Sequence, residues 1–243
     1  MSVLSPISKC STISSSSRLG KIEKTEVSEV KEIGIRAIIN KKQSIVSSTN
    51  IEEKNIDNLV EKVVEMAKVV PMDKFCGLAN KNEIEKFPKF NNADLNLCDP
   101  YKPSIKEINE NVQELENSAL ENKKIINSEG AELSFSQVKY KVMASNGFST
   151  EIKKTHSDYI IAVLAGNSNS MERAYDYKSK VFFSDLGNFK KVGQKVSVDA
   201  IKKLNSKKIK TCKSDVIFDS KISSSLLSNL FSACNASSII KGT

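Results

Sequence analysis

Two apolar rhythms follow one another early in the chain, and together they restrict it to a mixed fold. Ile33, Ile35, Ala37 and Ile39 recur at strict period two, and Val46 and Ser48 extend the pattern beyond a polar turn at Asn40-Lys41-Lys42. Period two places these side chains on one face of a strand, so the segment predicts a small antiparallel sheet with one buried face. Ile56, Leu59, Val60, Val63, Ala67 and Val70 then fall at i, i+3, i+4, i+7, i+11 and i+14, the single stripe of an amphipathic helix. That helix is expected to stop at Pro71, which lacks the needed N–H and disfavours helix in Val70. From Met72 to Pro103 the periodicity is weak, and the stretch reads as an irregular connector.

The second part repeats the alternation. Ser104 stands three residues before Glu107, the spacing of a capping box, and Ile105, Ile108, Val112, Leu115 and Ala119 mark the buried face of the helix it opens. From Glu132 to Phe183 the signal returns to strand: Val138, Tyr140 and Val142 alternate with Lys139 and Lys141. The Ser145-Asn146-Gly147-Phe148 turn predicts a type I′ hairpin, because Asn-Gly accepts positive φ. Ile160 to Leu164 reads as a more buried strand, Gly166-Asn167-Ser168-Asn169 as another turn, and Met171 to Phe183 as the end of a four-stranded meander. A helix over Phe189–Leu204 carries Phe189, Val192, Val196, Ala200 and Leu204 on one face. Val216-Ile217-Phe218 predicts a short buried strand, and a last helix opening near Ser223 contains Leu226, Leu227, Leu230 and Phe231. The expectation is an α+β fold of antiparallel sheets with packed amphipathic helices, divided into an N-terminal region over 1–100 and a middle region over 101–243.

Many chemistries are excluded by what the chain lacks. Its only histidine is His156, placed by the sequence in a turn between strands, and its five cysteines form no CxxC pair. Neither a zinc site nor a Cys–His or Ser–His pair is therefore encoded elsewhere, and reduced thiols are expected. No GxxxxGK[ST] or GxGxxG loop is present. Glu52 and Glu53 stand where acids complement a helix dipole, and Asp219, after the expected last strand, is the most site-like carboxylate, with a helix-cap role as the alternative. No apolar run reaches the ~18 to 20 residues that span a bilayer, and the Ser-rich start has no leader-like apolar core, so a cytoplasmic location is expected. The net charge of +8 is local: nine lysines and a single acid, Asp199, lie between Lys190 and Lys213. With only three arginines (Arg18, Arg36 and Arg173), this reads as a solvated basic helix rather than a nucleic-acid footprint.

Several separated motifs carry a resemblance. The series GKIEKTEVSEVKEIGIRAIINKKQSIVSSTN from Gly20, the helix and proline segment LVEKVVEMAKVVPMDKFCGLA over Leu59–Ala79, INSEGAELSFS over Ile126–Ser136, the ASNGF turn, and KKIKTCKSDVIFDSKISSSLL from Lys207 together resemble the TldD/PmbA family in its order. The TldD branch carries an HExxxH zinc motif after a Leu-Leu pair. Set on Leu226-Leu227, that motif falls on Ser228, Asn229 and Ala233, none of which can act as imidazole or general base. The resemblance is therefore to the TldE (PmbA) branch. It implies no catalytic residue, no metal or other cofactor, and a TldD-like partner subunit that acts on peptides or unfolded chains. Cys212 and Ser214-Asp215 stand where the family has TGxYP. Members of about twice this length imply truncation at both ends, so that the C-terminal domain is absent. An inactive remnant of a decayed or split gene is the alternative expectation. Weak nucleic-acid binding through the basic segment is a further one, in keeping with family descriptions as modulators of DNA gyrase.

Overall fold

A computed structural model of the chain describes residues 1–85, 95–167 and 170–241. Its backbone divides into two units, Met1–Asn205 and Ser206–Thr243. The first is built on one antiparallel sheet of six strands in the order β3-β2-β1-β4-β5-β6: β1 (Ser2–Arg18), β2 (Lys21–Ile39), β3 (Lys42–Ser48), β4 (Ile125–Ala144), β5 (Ser149–Asn167) and β6 (Ser170–Lys180). The mixed α+β class expected from the two rhythms is the class observed. The expected four-stranded meander is instead three strands, β4 to β6, and it is continuous with the N-terminal strands through the pairing of β1 with β4.

β1 was not singled out by apolar alternation. It keeps the period, but small polar residues carry it: Ile13, Ser15 and Ser17 are buried at alternate positions. Their hydroxyls are satisfied, Ser15 Oγ donating to Lys24 O at 3.2 Å and Ser17 Oγ to Glu116 Oε2 at 2.7 Å. The first hairpin turns on Leu19 and Gly20 (φ 51° and 80°), and the second on Asn40 and Lys41 (φ 51° and 63°). Positive φ at both central residues of a two-residue loop is the type I′ geometry whose twist matches the strands. The Asn146-Gly147 turn departs from expectation. Ala144 N donates to Phe148 O at 2.9 Å across a three-residue loop, and there only Gly147 has positive φ. The added residue makes it a type I turn followed by a left-handed glycine rather than I′. The turn expected at Gly166-Asn167-Ser168-Asn169 lies partly outside the described residues, although Asn167 pairs with Ser170.

Helices cover one face of this sheet at two places. Helix α1 (Glu53–Val69) ends before Pro71 and lays Leu59, Val63 and Ala67 on Ile33, Ile35 and Ala37. A short α2 (Lys81–Glu85) interrupts the expected connector. Helix α3 (Ile105–Leu120) is capped by Ser104 Oγ, which accepts from Glu107 N at 3.2 Å; the Glu107 carboxylate is turned to the Tyr101 hydroxyl instead of completing the box. Ile105, expected in the buried stripe, is exposed at the first turn. After a 3₁₀ turn (Phe183–Leu186), helix α4 (Phe189–Lys203) packs on α3, β5 and β6. Ile108, Val112 and Leu115 of α3, and Val196 of α4, close a core over Ile13, Leu133, Phe135, Tyr159, Ile161 and Val163. The helices meet at Gly193, where a Cβ would lie 2.1 Å from Ser118 Oγ and 2.2 Å from Leu115 O.

Both helical layers lie on the same side. Ile7 is paired with Ile33 beneath the α1 layer, and Ile13, six residues along the same strand, belongs to the α3–α4 core. Between the layers the apolar residues change sides. Leu133 and Phe135 face the helices, whereas Val138, Tyr140 and Val142, three residues on and out of phase, are half-buried on the opposite face and belong to neither core.

The second unit has no strand among its described residues. Val216-Ile217-Phe218 lies in a stretch without regular structure, and Ile217 is 96% exposed, so the expected buried strand is not formed. The last helix begins slightly earlier than expected, as α5 (Ser220–Ala233), and a short α6 (Ala236–Lys241) follows it.

Candidate functional site

The positions singled out on the last helix all fall on α5. Its first turn forms on Asp219, whose carbonyl accepts from the N–H groups of Ile222 and Ser223 at 3.0 Å each, so Asp219 sits at a helix start and not at a strand end. Serine hydroxyls along the helix return to its own backbone: Ser223 Oγ donates to Ser220 O at 3.0 Å, and Ser228 Oγ to Ser224 O at 3.1 Å. Such back-bonding occupies the hydroxyl with a carbonyl one turn away. Asn229 and Ala233, four residues apart, share a helix face, and Ser228 precedes Asn229 by a single residue, about 100° around the axis. A hydroxyl committed to the backbone, a carboxamide and a methyl group offer no imidazole, carboxylate or thiolate to a divalent metal. Ile222, Leu226, Leu227, Leu230 and Phe231 of the same helix are exposed.

His156 is not in a turn. It lies within β5 opposite Ser136, exposed, with Nε2 3.2 Å from Ser179 Oγ and 3.4 Å from Asp158 Oδ1. Serine, histidine and aspartate are thus adjacent, but both neighbours meet the same ring nitrogen. A catalytic triad needs the carboxylate on one nitrogen and the serine on the other, so that the acid fixes the tautomer that accepts the proton. Asp158 Oδ1 also accepts from Ser134 Oγ at 2.8 Å, as a cross-strand polar contact does. Among the described residues no group of three or more His, Cys, Asp or Glu converges as a metal cage would require.

Glu52 is the N-cap residue of α1 without a side-chain cap bond, and Glu53 lies in its first turn, where acids favour the dipole. The basic segment is not one helix. Five of its lysines, Lys190, Lys191, Lys195, Lys202 and Lys203, are on α4, and the other four follow Asn205 in irregular backbone of the second unit. Two of the α4 lysines are engaged, Lys203 Nζ donating to Arg173 O at 2.8 Å and Lys195 Nζ lying 3.8 Å from the buried Asp176.

The most strongly built carboxylate was not among the sequence candidates. Glu116 of α3 is fully buried and accepts from Ser17 Oγ at 2.7 Å, Leu19 N at 2.9 Å and Gly20 N at 3.1 Å. It ties the first hairpin to the helix. Its sequence signal was an acid inside an apolar stripe, four residues after Val112 and three before Ala119. Asp99, buried, plays a similar part for the connector, accepting from Phe183 N at 2.7 Å and Tyr101 N at 2.9 Å. No helix among the described residues is long and apolar enough to cross a membrane.

Comparison with known proteins gives one coherent result. The family model "PmbA/TldA metallopeptidase domain 1" matches residues 7–67, and "PmbA/TldA metallopeptidase central domain" matches residues 98–204. The Metalloprotease PmbA homolog of Buchnera aphidicola (from Acyrthosiphon pisum) is 33% identical over 196 residues, covering 80% of this chain and 43% of that protein. Metalloprotease PmbA of Escherichia coli O157:H7 is 28% identical over 211 residues, covering 86% of this chain and 46% of that protein. The chain thus spans less than half the length of these relatives. Among solved structures, a Bacteroides thetaiotaomicron protein described as a modulator of DNA gyrase superposes with a TM-score of 0.88 at 21% identity, covering 98% of this chain and 54% of that one. TldE from Thermococcus kodakarensis superposes with a TM-score of 0.67 at 15% identity, covering 84% and 44%. At these identities the superpositions establish a shared fold.

Proposed function

Because this chain belongs to the PmbA/TldD family, we propose that it acts as a TldE-type, non-catalytic subunit that associates with a TldD-like metallopeptidase and contributes to its action on peptides or unfolded chains. The observation that carries this reading is the residue set on α5. Ser228, Asn229 and Ala233 occupy the places that the HExxxH resemblance assigns to two metal ligands and a general base, and no side chain among them can do either task. Chemistry of this class would then need its metal from a second subunit. The exposed apolar residues of α5 support association in the same place, since a large uncovered apolar patch marks an interface or an aggregation liability.

The test is reconstitution. The chain is mixed with a TldD-type protein and followed by size-exclusion chromatography, and the hydrolysis of an unfolded substrate is assayed for each component and for the mixture. Co-elution, with activity in the mixture and none in this chain alone, is expected. Hydrolysis by this chain alone that is abolished by a chelator would refute the non-catalytic assignment. Separate elution of the two proteins at micromolar concentrations would refute the partner assignment.

A further inference from the structure

Among the described residues no helix or strand covers the middle of the sheet, between the α1 layer and the α3–α4 layer, and it carries a row of lysines in direct register. Lys31 of β2 is paired with Lys9 of β1, Lys9 with Lys139 of β4, and Lys139 with Lys153 of β5. Directly paired residues share a face, so one lysine from each of four adjacent strands stands in a single line. Lys141 lies one row away on the same face, paired with Ile7. Like charges placed directly opposite are destabilising, and a sheet with no use for the row would be more stable with threonine or alternating charge. Two acids offset part of the cost: Lys9 Nζ bonds Glu29 Oε1 at 2.9 Å and Lys139 Nζ bonds Glu151 Oε1 at 3.0 Å. The Glu29 carboxyl is held below its usual range by its hydrogen bond and ion pair with Lys9, and further by Lys31 and Lys102. The lysines thus dominate the field at Glu29. Two depressions sharing Lys9 and Lys139 run along the row, one of about 330 Å³ reaching Gln137 and Lys153, the other of about 140 Å³ reaching Ile7, Lys31 and Ile51.

We propose that this row is a docking site for an extended, acidic polypeptide segment lying across the strands between the two helical layers. Four strands at ~4.8 Å spacing span about 14 Å, and an extended chain presents same-side residues every ~6.7 Å, so carboxylates at three alternate positions match the row. The surroundings select polypeptide over nucleic acid. No arginine is in the row to take a phosphate bidentately, and no aromatic ring lines either depression to stack a base. Ile7 and Ile51, both partly exposed, supply apolar contact for the segment's intervening side chains. The α1 layer and the α3–α4 layer stand on the same face of the sheet on either side of the row. The site is on the first unit alone and does not depend on a TldD-type partner.

The test measures fluorescence anisotropy of a labelled alternating Glu-Ser peptide with the full chain, beside an alternating Lys-Ser peptide and an oligothymidylate carrying the same label. The Glu-Ser peptide is expected to bind, more weakly as salt is raised, and the Lys-Ser peptide is not. Lys31→Gln and Lys153→Gln, which break neither ion pair of the row, should each weaken binding about threefold and together roughly tenfold. Lys207→Gln with Lys208→Gln, the same charge change in the second unit, should leave it unchanged. The row variants should also keep or raise Tm, because they relieve like-charge pairs. Equal binding by both double variants would overturn the proposal, and so would a lowered Tm in the row variant. Tighter, row-dependent binding of the oligonucleotide would overturn the choice of polypeptide.

Discussion

Leu115 and Leu230 occupy the same kind of place in sequence, an apolar position on an amphipathic helix, α3 of 16 residues and α5 of 14. Leu115 has no exposed surface, while Leu230 keeps 56% of its own. The difference is not in the pattern but in what stands opposite. α3 has a sheet with Leu133, Phe135 and Ile161 beneath it and a second helix beside it, whereas none of the large apolar residues of α5 is buried. Periodicity reports that a helix has an apolar side; it does not report whether the chain supplies a surface to cover it. The first unit is therefore expected to carry the folding energy, and the second to contribute little to it.

The sharpest way to break this comparison is at Glu116. Glu116→Ala leaves Ser17 Oγ and the N–H groups of Leu19 and Gly20 without their acceptor in a buried place. A loss of about 3 to 5 kcal/mol is expected, read from urea unfolding. Leu115→Ala should come next, at roughly 3 kcal/mol, because a buried leucine leaves a cavity that two helices and a sheet cannot easily close. Gly193→Ala should cost about 1 to 3 kcal/mol by forcing α3 and α4 apart, since the added methyl meets the carbonyl of Leu115, which has no rotamer to yield. Losses below about 0.5 kcal/mol at all three would show that the α3–α4 core does not hold the first unit together.

These same residues mark what could be read in the sequence. The α1 stripe apart from Val60, which is exposed, its stop at Pro71, the Ser104 cap and the α4 face were legible because each rests on local chemistry: a period, a missing N–H, a hydroxyl three residues before an N–H. β1 was not, because its buried side chains are mostly serines whose burial is licensed by partners far along the chain, Glu116 among them. The union of the two predicted sheets was equally hidden, since β1 and β4 are separated by more than a hundred residues and nothing local records their register. Val216-Ile217-Phe218 failed for the reason α5 is bare: an apolar run asks for a cover without supplying one. For the candidate site, the expectation drawn at Ser228, Asn229 and Ala233 rests on residue identity alone, and the structure adds that all three positions fall on α5. The lysine row was not, because Lys9, Lys31, Lys139 and Lys153 become neighbours only through strand pairing.

A fourth expectation concerns pH and again separates the units. Burial, with a smaller contribution from the Asp176 carboxylate, pushes the Tyr159 phenol up to about 12 from its ordinary 10.0. The folded chain then holds this proton more tightly than the unfolded chain does. Its contribution is fully present below about pH 10 and is lost as the pH climbs through the folded value near 12. Urea midpoints measured from pH 9 to 12 should fall for the wild type, and less steeply for Tyr159→Phe, which has no proton to lose. Parallel curves would place the alkaline sensitivity elsewhere.

The smallest effect is expected where the sequence pattern alone would have predicted a large one. Leu230→Ala and Leu227→Ala remove side chains that keep 56% and 58% of their surface exposed. With little burial to lose, each should change the stability of this chain by no more than about 0.5 kcal/mol, although the same substitution at Leu115 costs several times as much. Stability is one half of the test, and exposed apolar surface is the other. An environment-sensitive hydrophobic dye should bind the wild type, and its signal should drop in a Leu227→Ala, Leu230→Ala double variant whose urea midpoint is unchanged. In the presence of a TldD-type partner the contrast should invert: if α5 is the covered face of that complex, the double variant loses affinity while its own fold is untouched. A double variant destabilised by 2 kcal/mol or more would mean that α5 is buried by this chain itself, and the line drawn between the two units would have to be abandoned.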